Sequence, residues 1–94
     1  MDRESLVRLG EQLHSDLSQQ AKQYHVKSDA HEVLSWEAVG IATLIQALRD
    51  QSPLSEAQTE SDLLSDWGKQ LHFAHPELAD RVSQFRLLVV ALPV

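Results

Sequence analysis

Glu11-Gln12-Leu13-His14 is the first stretch of the chain whose side chains could act together. Its spacing puts a carboxylate and an imidazole on one face of a helix, as in bundles that hold two iron ions. Such bundles need a second motif of this kind and two further inward glutamates. This chain has one motif, and Glu11 projects about 140° away from the centre of its own helix's apolar stripe. His14 also invites comparison with histidine phosphotransfer domains. The phosphate would need a nearby cation, but Leu17 stands where such domains place a lysine, and acids surround the site.

His72-Phe73-Ala74-His75 has a spacing that two metal ligands could use, at the end of one helix and the entry to the next. A zinc site needs three or four ligands, yet the chain has no cysteine, and only tertiary structure could bring His25 or His31 close. The simpler role for a histidine there is to bond the last carbonyls of a helix. Metal binding through His72 and His75 is the alternative. None of the serines lies in a Gly-x-Ser-x-Gly elbow, and three glycines make no phosphate loop. No catalytic residue, no cofactor and no enzymatic activity are expected.

Glu37 departs most clearly from the pattern around it. At about 100° per residue it falls near 40° on an arc whose apolar members, Val33, Leu34, Ala38, Ile41, Leu44, Ile45 and Leu48, run from roughly 0° to 140°. A carboxylate buried there must be paired, hydrogen-bonded or protonated, since its desolvation is worth several kcal/mol. His14, Arg81 and Arg86 are the candidate partners. Two turns from the start of its helix, Glu37 is expected to snorkel to solvent at the bundle end; the alternatives are a buried charge and a docking carboxylate. Trp36 and Trp67 border their stripes and are expected in the core, with anchoring of a partner as the alternative.

The elements that position these residues follow from apolar periodicity. Leu6, Leu9, Leu13, Leu17, Ala21 and Tyr24 recur at three and four residues and predict a helix over about 3–25, with Gly10 beside the stripe. Asp29-Ala30-His31-Glu32 reads as a capping box for a second helix to about residue 49. Apolar on most of its surface, that helix is expected to be the buried centre. Ser52-Pro53 opens a third over about 55–73, its first turns uncertain and its stripe clear from Leu63 to Ala74. Pro76 starts a fourth, over about 76–91, with Leu78, Val82, Phe85, Leu88, Val89 and Leu92 inward. Leu87 and Val90 fall off that stripe. They predict either extra burial under the connection between the first two helices or a surface for self-association or a partner; a strand over 87–92 is the lesser option.

The expected fold is all-α, a single domain over residues 1–94. Short connections favour an up-down-up-down antiparallel four-helix bundle over an irregular helical array. Fourteen acids against eight bases give a net charge of −6, and the lysines and arginines are dispersed, which argues against nucleic acid and anionic lipid as partners. The longest apolar run, 87–94, is far below the roughly 20 residues that span a bilayer, and the N-terminus lacks the apolar run of a secretory signal. A cytoplasmic location is expected. Together these features predict a small acidic protein-binding module of adaptor, chaperone, immunity or anti-activator type. It would occupy a partner protein, a basic one being met by Glu56, Glu60, Asp62 and Asp66, or a second copy of itself.

Overall fold

The computed structural model describes residues 2–51, 54, 56, 57, 59 and 74–92. Among them are three helices and no strand: α1 (Arg3–Ala21), α2 (Asp29–Asp50) and α3 (Pro76–Val90). The chain is all-α in its described part. The third expected segment, 55–73, lies mostly outside the described residues, although Leu54, Glu56, Ala57 and Thr59 are helical.

Each helix starts where local chemistry satisfies its free amides. The Asp2 carboxylate accepts from the Ser5 amide at 2.7 Å, and that bond holds the carboxyl below the ordinary aspartate value. Ser28, not Asp29, caps α2: its hydroxyl accepts from the His31 amide, and Asp29 and Glu32 lie in the first turn instead. The shift by one residue leaves both acids near the positive end of the helix, where they still stabilise it. At α3, Pro76 occupies the first position with its φ preset, and His75 before it lies outside the helical region, as a residue preceding proline tends to.

α1 ends at Ala21 rather than near residue 25. The amides of Gln23 and Tyr24 turn back to carbonyls three residues earlier, so the chain tightens and still delivers Tyr24 onto the core. The Ala21 carbonyl also accepts from Nδ1 of His31 at 2.8 Å, which ties the end of α1 to the start of α2.

Helix directions follow from the contacts between elements. Arg3 donates to the Leu48 carbonyl and His31 meets Ala21, so α1 and α2 are antiparallel. Asp16 pairs with Arg81 at 2.8 Å and Tyr24 bonds His75, so α3 is also antiparallel to α1. α1 thus touches both other helices. Leu6, Leu13 and Leu17 from α1, Leu34, Ile41 and Leu44 from α2, and Phe85 and Val89 from α3 form the fully buried centre. As expected, α2 contributes most of the core, but Leu9 is displaced to its margin and is partly exposed.

Gly10 lies at the crossing of the three helices, not merely beside the stripe. A Cβ there would stand 2.8 Å from Cζ of Phe85 and 2.9 Å from Cγ1 of Ile45. Neither neighbour is the loose end of a flexible chain, so the missing side chain is what lets α1 come this close. Gly10→Ala would gain up to about 1 kcal/mol in helix propensity and lose about 1–3 kcal/mol to overpacking. The expected outcome in chemical denaturation is a less stable variant, whereas a stabilised one would show that the crossing is loose.

Candidate functional site

Glu37 is buried, with 1% of its surface exposed, so it does not snorkel to solvent as expected. The reason lies in the width of the covered face. Buried residues of α2 extend through Val33, Gly40 and Ala47 on one side and Ala38 and Ile45 on the other, which leaves Glu37 inside the covered arc and not at its rim. Among the described residues neither carboxylate oxygen has a hydrogen-bond partner. Of the three cations considered, Arg86 is the one that approaches, with a terminal guanidinium nitrogen 3.9 Å from Oε2. Arg81 is engaged by Asp16, and His14 borders a shallow hollow with Glu11, Ala42 and Arg49, where Arg49 pairs with Glu11.

Burial disfavours the charged form and pushes the Glu37 carboxyl up from 4.5 to about 7, against a weaker opposing pull from Arg86. A contact of 3.9 Å without a hydrogen bond returns little of the solvation that burial removes. Near neutrality, then, this side chain can exist in either state. That is the one place in the described structure where a small change of conditions alters charge inside the core.

The histidines do structural work at the opposite end from Leu48. The Tyr24 hydroxyl and Nε2 of His75 share a hydrogen bond of 2.8 Å, with the rings edge-on at 5.8 Å, and this joins the end of α1 to the start of α3. His25 accepts from the Lys27 amide through Nδ1. A polar groove beside the Tyr24–His75 bond is lined by Asp16, Gln20, Gln23, His75 and Glu77. No group of three or more His, Cys, Asp or Glu among the described residues is placed to hold a metal ion. His72, Trp67, Glu60, Asp62 and Asp66 lie outside the described residues.

Two apolar pairs face outward. Leu87 and Val90 are 68% and 67% exposed on α3, so they are not buried under the connection between α1 and α2. α3 stays helical to Val90, which removes the strand alternative for most of 87–92. Trp36 and Val39, at 41% and 44%, form the second pair, on α2. Trp36 is therefore an exposed edge residue and not a core one, because the covered arc of α2 closes at Val33 and Gly40 before it reaches the indole. Glu56 is exposed.

Glu37 links stability to pH with a definite sign. Its folded value lies above its unfolded one, so its contribution is complete below about pH 4.5 and declines as pH rises to about 7, after which it is constant. Over that window the loss is about 3 kcal/mol. Unfolding curves of the wild type and of Glu37→Gln, compared at each pH, should diverge by that amount in favour of the glutamine variant as pH rises. Parallel curves would mean that the carboxyl is hydrated in the native state.

No model of a known protein family, no curated protein and no solved structure matches this chain, so its function is read from its own residues.

Proposed function

We propose that this protein is a binding module that acts by occupying another protein, with the outer face of α3 as its contact surface. The observation that carries the reading is the exposure of Leu87 and Val90, one turn apart on the side of α3 that faces away from Val82, Phe85 and Val89. Two large aliphatic side chains left in water contribute nothing to the fold and are of the kind that a partner desolvates. Trp36 and Val39 on α2 offer a second apolar contact, and a tryptophan is a frequent anchor in such interfaces.

The charge balance supports the same reading. A net charge of −6 favours encounter with a basic surface and disfavours nucleic acid or anionic membrane, and exposed Glu56 is one of the acids that would meet it. Among the described residues no helix is long and apolar enough to cross a membrane. We place the protein in the cytoplasm, as a non-enzymatic adaptor, chaperone, immunity protein or anti-activator. The antiparallel pairing of α1 with α2 and of α1 with α3 is compatible with an up-down-up-down bundle, and we propose that the 55–73 segment supplies its remaining helix. A second copy of the chain is the other partner that the α3 face would accept, giving a homodimer.

The test replaces Leu87 and Val90 together by aspartate. Because both side chains are largely exposed, the loss of stability should stay within about 1–2 kcal/mol, much of it from placing two aspartates in the last turn of α3. Association should disappear, whether it is read as concentration-dependent sedimentation of the pure protein or as capture of a partner from the cell of origin. Association that survives the double substitution would move the interface elsewhere, and a collapse of stability would show that the two residues belong to the core.

A further inference from the structure

The buried carboxylate lies at the junction of elements held with unequal strength. α1 and α2 form a hairpin tied by Arg3 to Leu48 and by His31 to Ala21, and α2 alone buries ten residues. α3 buries three, Val82, Phe85 and Val89, and is tied to α1 by Arg81 and by His75. Glu37 stands on the hairpin and Arg86 on α3, 3.9 Å apart. Arg86 is 18% exposed at its side chain against 1% for Glu37, so of the two groups the one on α3 keeps contact with water.

We infer that Glu37 and Arg86 form a proton-sensitive latch: a neutral Glu37 lets α3 sit closed on the α1–α2 hairpin, and an ionised Glu37 loosens α3 so that its carboxylate gains water or a direct bond to the guanidinium. Other described groups do not compensate the charge. The residues that α1 buries are Leu6, Gly10, Leu13, Leu17 and Ala21, none of them titratable. Around Glu37 on its own helix the buried residues are apolar, and of the described part of 54–59, Leu54 and Ala57 pack on the core while Glu56 is exposed. Among the described residues Arg86 is thus the charged group that faces Glu37. Of the two helices that could give way, the one that buries less yields first.

The measurement is amide hydrogen exchange between pH 5 and pH 8, corrected for the intrinsic rate, on the full chain and on Glu37→Gln. In the wild type the opening of 76–90 should rise by on the order of 10- to 100-fold more than in the glutamine variant, with α1 and α2 much less affected. A third protein, Arg86→Gln, keeps the test open if Glu37→Gln does not fold. Without the cation the carboxyl ionises less readily, so the pH at which α3 loosens should move up. Identical pH profiles in wild type and Glu37→Gln would overturn the latch. So would an equal loss of protection in all three helices, which would make Glu37 a matter of global stability alone. An unmoved midpoint in Arg86→Gln would remove Arg86 from the device. None of these readouts needs a partner, so they stand apart from the binding reading.

Discussion

At Gly10 the backbone of α1 lies against the Phe85 ring on one side and Ile45 on the other, with no room for a methyl group. That close approach is where α1 meets both of the other described helices. Because α1 can come so near, Leu6, Leu13 and Leu17 reach the centre, and the inward faces of α2 and α3 are drawn in around them. In the same packing Arg86 of α3 faces Glu37 of α2 at 3.9 Å, and Glu37, at the middle of the covered arc of α2, keeps 1% of its surface exposed.

The energetics of α3 make that consequence matter. Burying an aliphatic or aromatic side chain is worth about 1.5–3 kcal/mol, and α3 has three such residues buried, two of them fully. The penalty of about 3 kcal/mol for ionising Glu37 is therefore of the size of one of its anchors. Domains of this length hold only a small net stability, so one unsatisfied carboxylate is a sizeable fraction of what keeps the last helix in place. Exposed ion pairs such as Asp16–Arg81 and Glu11–Arg49 add little to offset it. Placed on that same helix, Leu87 and Val90 would move with any change in its seat.

Much of this was legible in the sequence, and the exceptions have physical reasons. Apolar period and proline at Pro76 locate the helices because both act locally, within one or two turns. Ser28 and Asp29 compete for the same cap, and a hydroxyl or a carboxylate can serve, so the choice between them falls to geometry. Glu37 stands out as a polar residue on an apolar arc, but its burial depends on how far the arc is covered, which is a matter of tertiary packing. Trp36 shows the converse: it borders the stripe in projection, yet the covered face stops short of it. The Tyr24–His75 bond joins residues 51 positions apart and has no local signature at all.

The native protein holds a carboxyl group in its core that changes charge near neutral pH. A carbon-13 NMR titration of the glutamate side-chain carboxyls reads that change, with the Glu37 resonance identified by its absence from the glutamine variant. The Glu37 carboxyl should titrate with a midpoint near 7. A Glu37 midpoint close to 4.5, the ordinary glutamate value, would contradict it.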